Sequence, residues 1–381
     1  MTSWARNMKI IHVIPNLRKG GAERLVLNIC NQLHTHTRHE VLLITFSWDN
    51  AYEFLTGDIN WKVVPSDVVP SISGKAHIDV AELQQTISSF QPDIVHAHLF
   101  KSMMVLSQVD FGAAHSFIHF HDNMHQLGSF SIGKIADKTS WTNLYEKRML
   151  YRSFSNRSVS AVAISNDTSR YAQSILPKGI KVHKLLNAID WKRFYSEVNQ
   201  TCSKRIAMIG SLVEKKNQLL AIKTVQELTS RNVAVHLDLI GDGVLRDYLE
   251  EYVRSHQLEE AVTFHGSIDH PESVLSKACL YIHTAKLEPF GLVLIEAMAA
   301  GLPVVCTDGG GNRDLMNEGS NGFMVEEFSE QQLADKIEYL LNHTEERFKM
   351  GQEAQTFSKK FDISSYTDQL IKLYENAQNK Y

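Results

Sequence analysis

Two carboxylates, Glu288 and Glu296, bracket the head of an apolar stretch that runs Glu288-Pro289-Phe290-Gly291-Leu292-Val293-Leu294-Ile295-Glu296 and on through Ala297–Ala300. From Leu292 to Ala300 only Glu296 is polar, the pattern of a helix buried on all sides. A carboxylate there is costly unless hydrogen bonds satisfy it, and no Lys or Arg lies within a turn. Helical side chains lean toward the N-terminus, so Glu296 reaches back to the helix head that Glu288 approaches from the loop. Between the acids lie the free amides of Phe290, Gly291 and Leu292, which with the helix dipole favour an anion. The acids repel anions but accept hydrogen bonds from hydroxyls. Acid, amides, acid is the order that suits polyol, phosphate, polyol: a sugar joined through a diphosphate to a ribose.

The elements that hold this stretch follow from its flanks. Pro289 suits a helix start, Gly301 with Pro303 a helix end, and Leu280–His283 and Val304–Cys306 read as buried strands on either side. The chain opens in the same way. Met8–Pro15 is a buried strand, Asn16–Gly21 a loop ending in Gly20 and Gly21, and Ala22–Leu33 a helix with Leu25, Ile29 and Leu33 in one row. Strand, glycine loop, helix is how α/β proteins hold phosphate, but without a G-x-G-x-x-G spacing no dinucleotide is implied.

Further strands are expected at Val41–Phe46, Ile94–Ala97, Ser116–Phe120, Ala161–Ser165, Lys181–Leu186, Arg205–Ile209, Leu237–Ile240, Val262–Phe264 and Phe323–Val325. Their alternation with helices predicts an α/β, doubly wound fold with parallel sheets covered on both faces. A length of 381 residues fits two domains, with a hinge between residues 188 and 202. Open parallel sheets place their sites beyond the carboxyl ends of strands. His121, Gly210–Gln218, Gly241–Gly243, His265–Ile268 and Gly309–Asp314 all fall there.

His96, His98, His115, His119, His121 and His125 crowd two strand ends. His119 and His121 share a strand face, which raises a metal pair, yet no carboxylate or cysteine ligand pattern accompanies them. No metal is therefore expected, and His96, His98 and His119 are read as satisfied structural residues. His121, followed by Asp122 at its strand end, is the candidate site residue.

Glu288-x7-Glu296 within EPFGLVLIEAMAAGLPVV resembles the E-x7-E signature of retaining glycosyltransferases of the GT-B fold in family 4. The likeness runs over nearly the whole chain. Gly20-Gly21-Ala22-Glu23-Arg24 is similar to the family's glycine loop, and His121-Asp122 to its H-D or H-N segment. Asn187-Ala188-Ile189-Asp190 is similar to its N-G-I-D turn, with Ala188 in place of glycine. Gly210–Asn217 resembles its G-R-L...K-N segment, and Gly309–Asp314 its G-G-x-x-E loop with Asp314 in the acidic position.

The resemblance implies two Rossmann-like domains facing across a cleft. Residues 1–190 form the acceptor side, joined by 362–381 as the final helix crosses back, and 200–361 bind the donor. It implies transfer of a sugar from a nucleotide diphosphate sugar, above all a UDP-sugar, to a hydroxyl of a glycan or lipid-linked acceptor in cell-surface polysaccharide synthesis. No metal and no cofactor are implied. Glu288 would hold sugar hydroxyls, Lys216 the diphosphate, and Glu296 the ribose diol. The amides at Phe290, Gly291 and Leu292 would take the phosphate, and the loop at Ser267 the base. His121, Gly20 and Gly21 would line the sugar and acceptor side. Ser211 departs from the pattern, because an arginine usually stands there. Either Lys215, Arg18 or Arg24 covers the missing charge, or the donor geometry differs. Two rival readings follow: a nucleotide-sugar epimerase of the same shape, and a non-catalytic scaffold.

The net charge of -4 argues against nucleic acid as a partner. Residues 1–190 hold 19 Lys+Arg against 15 Asp+Glu, and residues 191–381 hold 20 against 28. The basic first half, with Lys147, Arg148 and Arg152 on a helix over Trp141–Ser153, is compatible with a peripheral contact to an anionic membrane surface as well as with plain packing. The scattered Cys30, Cys202, Cys279 and Cys306 read as reduced thiols of a cytoplasmic protein. No signal-peptide pattern and no run of about 18 apolar residues is present.

Overall fold

The computed structural model describes residues 7–69, 77–124, 127–128, 137–155, 157–198 and 204–379. The chain divides into two compact units, Met1–Asn187 with Ile363–Tyr381, and Ala188–Asp362.

The first unit contains β1 (Lys9–Val13), β2 (Glu40–Thr45), β3 (Trp61–Val63), β4 (Asp67–Val69), β5 (His77–Asp79), β6 (Ile94–His98), β7 (His115–Phe120), β8 (Val159–Ala163) and β9 (Lys181–Lys184). Seven of them form a parallel sheet in the order β3-β2-β1-β6-β7-β8-β9, and β4 pairs antiparallel with β5. The central strands are buried on both faces, as parallel sheets require, although β1, β6 and β7 carry histidines among their apolar residues. The register sets His12 beside His96, and His98 beside His119. The helix Ile363–Gln378 packs into this unit, where Tyr374 bonds His96.

The second unit contains β10 (Arg205–Ile209), β11 (His236–Ile240), β12 (Val262–Gly266), β13 (Leu280–His283), β14 (Val304–Thr307) and β15 (Gly322–Val325). They form a parallel sheet in the order β12-β11-β10-β13-β14-β15. Its core is separate, built on Ile206, Met208, Leu237, Leu239, Leu280 and Ile282. Each unit is thus a doubly wound α/β layer structure of its own.

Cys30 and Cys306 are buried free thiols, but Cys279 is disulfide-bonded, which corrects the expectation of reduced thiols throughout. Sequence spacing does not report which sulfurs meet in space. Among the described residues no helix is long and apolar enough to cross a membrane.

Candidate active site

β10 and β13 are neighbours at the point where the strand order of the second sheet reverses. Open α/β sheets take their ligands there. The loop after β10 carries Lys216 and the loop after β13 carries Glu288. Two bonds staple these loops together: Lys286 N–H to the Lys215 carbonyl at 2.9 Å, and the Thr284 hydroxyl to the Asn217 carbonyl at 2.8 Å. Lys216 Nζ lies 2.5 Å from Glu288 Oε2, with side-chain exposures of 19% and 8%. His283 Nε2 is 3.0 Å from the same oxygen, but off the axis of a good hydrogen bond. Burial alone would raise the Glu288 carboxyl; His283 and Lys216 outweigh it and hold the pKa at about 2. Burial, helped by Lys216, drives His283 down against the pull of Glu288, so that ring is neutral.

The helix beyond Glu288 runs Leu292–Ala299, with Gly291 as its N-cap at φ 104. Pro289 therefore lies in the preceding loop rather than at the helix start, because the left-handed turn at Gly291 redirects the chain after it. Phe290 is buried against Phe361, ring centres 5.9 Å apart, which anchors the loop. Leu292 and Val293 are first-turn residues, whose amides have no acceptor within the helix. The helix stops in a Schellman turn: Gly301 N–H bonds the Met298 carbonyl and Leu302 N–H the Ala297 carbonyl, both at 3.0 Å. Glu296 is fully buried on this helix, as its apolar surroundings predict.

The glycine loop after β14 grips Glu288 by its backbone. Glu288 N–H bonds the Gly309 carbonyl and Gly311 N–H bonds the Glu288 carbonyl, each at 2.8 Å. A Cβ on Gly311 would land on the Pro289 carbonyl. Asn312, which sequence reasoning missed, pins the loop from inside. Its Oδ1 accepts from Gly309 N–H and its Nδ2 donates to the Thr307 carbonyl, both at 2.9 Å. A buried asparagine among glycines was the available signal. Asp314 sits in the short 3-10 turn Gly311–Leu315. Ser211 and Ser267 are exposed on the loops after β10 and β12, at the same carboxyl edge of the sheet.

In the first unit Gly20 caps the helix Gly21–His36. Its amide donates to the Tyr52 hydroxyl, which in turn donates to the Gly20 carbonyl, both at 2.9 Å. The Gly20 N–H is thus engaged locally, while Gly21 is exposed. His121 follows β7 and is 8% exposed. Its Nε2 lies 3.0 Å from His98 Nδ1, and His98 Nε2 lies 2.9 Å from His12 Nδ1. Burial pushes the pKa of His12 and of His121 down to about 3. Burial, then the neighbouring rings, pushes His96, His98 and His119 well below the usual value. The expectation of satisfied histidines fails at His119, where neither ring nitrogen has a partner among the described residues, and holds at only one nitrogen of His96. His125 lies outside the described residues.

Residues 19–193 match the family model Glycosyltransferase Family 4, and residues 191–357 match Glycosyl transferases group 1. The chain is 29% identical over 172 residues to an alpha-D-kanosaminyltransferase of Streptomyces kanamyceticus, covering 44% of this chain and 45% of that protein. It is 30% identical over 193 residues to the N-acetylgalactosamine-N,N'-diacetylbacillosaminyl-diphospho-undecaprenol 4-alpha-N-acetylgalactosaminyltransferase of Campylobacter jejuni, covering 50% and 52%. The chain thus spans about half the length of these curated relatives. The crystal structure of HepE from Anabaena in complex with UDP and glucose superposes with a TM-score of 0.76 at 22% identity, covering 96% of this chain and 99% of that one. With the matched regions following each other from residue 19 to residue 357 over two Rossmann-like sheets, the chain belongs to glycosyltransferase family 4, group 1, of the GT-B fold.

Proposed function

We propose that this protein transfers a sugar from a UDP-sugar to a hydroxyl of a glycan or lipid-linked acceptor, with retention of the anomeric configuration. The observation that carries this reading is the buried, ionised Glu288 held against Lys216 at the sheet's reversal point. Lys216 and the first-turn amides of Leu292–Ala299 take the diphosphate and stabilise the β-phosphate as the bond to the sugar breaks. As the phosphate draws Lys216, the Glu288 oxygens become acceptors for sugar hydroxyls, and Glu296 holds the ribose diol. In the first unit, neutral His121, Gly20 and Gly21 are the residues we assign to the acceptor. The acceptor hydroxyl attacks from the face the phosphate leaves, and its proton passes to the departing phosphate oxygen. Arg18 already pairs with Asp49. Exposed Lys215, on the same loop as Ser211, is the cation we assign to the charge that Ser211 does not supply.

The relative from Campylobacter is named for a diphospho-undecaprenol acceptor, and HepE has been crystallised with UDP-glucose; both support this donor and acceptor chemistry. Trp141 and Tyr145, exposed on the helix Lys138–Phe154, support a peripheral contact with the cytoplasmic face of a membrane. The test is a panel of UDP-sugars offered with and without lipid-linked acceptors, read by mass spectrometry, with the anomer assigned by NMR. Glu288→Ala is expected to abolish product while the protein stays folded. Full activity of that variant would sink the reading. An altered sugar nucleotide formed without acceptor would point to epimerisation, and no UDP binding by calorimetry to a scaffold.

A further inference from the structure

Five histidines line one face of the first sheet: His12 on β1, His96 and His98 on β6, His119 on β7, and His121 just beyond it. Alternate strand positions point to the same face, and the register brings the three strands' rings side by side. The stripe is buried, with ring centres 4.1 Å apart for His119 and His121 and 4.3 Å apart for His96 and His98. A neutral imidazole offers one N–H and one lone pair, and buried polar atoms are normally partnered. Here Nε2 of His12, Nε2 of His96, both nitrogens of His119 and Nδ1 of His121 have no partner among the described residues. Among them His96 Nε2, beside the paired rings of His12 and His98, is open to a ligand that accepts lone pairs.

We propose that His12, His96 and His98 hold a transition-metal ion. One nitrogen from each ring lies within 4.8 Å of the others. The outer bonds select the ligating atoms. The site takes the tautomers in which His96 Nδ1, 2.5 Å from the Tyr374 hydroxyl, and His98 Nδ1, 3.0 Å from His121 Nε2, carry the protons. Those protons leave lone pairs on His96 Nε2 and His98 Nε2, and the latter faces His12 Nδ1 at 2.9 Å. Metal-bound histidines bond their outer nitrogen in this way, which fixes the tautomer. In the rival trio His98, His119 and His121, neither nitrogen of His119 has a partner among the described residues, so nothing fixes the tautomer of its central ring. Tetrahedral Zn–N bonds place ligand nitrogens roughly 3.3 Å apart, close to the 2.9 Å between His98 Nε2 and His12 Nδ1.

An all-imidazole set suits Zn2+, Co2+, Ni2+ or Cu2+ rather than Mg2+ or Ca2+. The set carries no charge, so its fourth position suits hydroxide, which Zn2+ forms from water at about neutral pH. The ligands and Tyr374 belong to the first unit and Glu288 and Lys216 to the second, while His121, which we assign to the acceptor side, bonds His98.

The test uses full-length protein stripped with a chelator and titrated with Co2+. Expected are visible d–d bands that saturate near one equivalent and disappear on adding Zn2+. The melting temperature should rise by on the order of 5–10 °C at a hundredfold excess over Kd. His96→Gln removes the bands and His119→Gln keeps them, with circular dichroism confirming the fold of each. No bands and no thermal shift in the unsubstituted protein overturn the site whatever the variants do. Bands lost in His119→Gln but kept in His96→Gln overturn the trio named here.

Discussion

Glu288→Gln keeps the shape of the side chain and removes its charge. The Glu288 carboxyl is held at about 2 against 4.5 for an unperturbed glutamate. A gap of about 2.5 pH units corresponds to about 3 kcal/mol of stability at neutral pH. The folded pKa lies below the unfolded one, so this contribution is fully present above pH 4.5 and is lost as the pH falls toward 2. At pH 3.5 about 2 kcal/mol of it remains. The glutamine variant has no such titration, so its deficit against the unsubstituted protein should shrink by about 1 kcal/mol between pH 7 and pH 3.5. Urea unfolding followed by circular dichroism at the two pH values measures this. Adding Lys216→Met to each background gives a cycle whose coupling should exceed about 1 kcal/mol for groups in contact. A deficit that is the same at both pH values, with no coupling, would refute the ionised Glu288–Lys216 pair.

Lys216→Met is expected to weaken UDP binding roughly ten- to hundredfold, the loss of one charge-assisted hydrogen bond; an unchanged Kd by calorimetry removes Lys216 from the donor site. Gly311→Ala drives a Cβ into the Pro289 carbonyl. It should cost on the order of 3 kcal/mol, whereas Gly310→Ala, strained at φ 97 but in open space, should cost about 1 kcal/mol. Equal thermal shifts for the two would contradict the loop geometry. His12 and His121 titrate near 3 when folded and near 6.5 when unfolded, so their contribution is present above 6.5 and lost as the pH falls toward 3. In chelator-treated protein each should remove about 2 kcal/mol between pH 7 and pH 5. Hydrogen exchange in β1 and β7 reads this, and exchange that implies the same opening free energy at both pH values would count against it.

The strands were legible because buried parallel strands are nearly continuous apolar runs, and KIIHV, RIAMI and LYIH could hardly be anything else. The acid-bracketed helix was legible for the same reason, but its first turn was not. Pro289 is a common helix opener, yet the positive φ at Gly291 decides where this helix begins. Lys216 and Glu288 could each be named from sequence, but not their contact. It depends on β10 lying beside β13, a long-range pairing that no local pattern encodes. The same limit hid His12. A lone histidine in an apolar strand looks structural until the register sets it beside His96. The short edge strand Trp61–Val63 and the hairpin Asp67–Val69/His77–Asp79 carry too few residues for a period to show.

Tyr374 reaches His96 across 278 positions of chain, so the first unit is closed by a helix made only after the whole of Ala188–Asp362. At ordinary elongation rates the intervening segment takes roughly ten to thirty seconds to synthesise. For that interval the nascent early half lacks the Tyr374 ring that packs on Phe117 and bonds His96. The order of emergence from the ribosome is thus the reverse of the order of completion. Chains cut before Ile363 should fall to proteases and aggregation through their oldest residues, and a peptide spanning Ile363–Gln378 supplied in trans should rescue them.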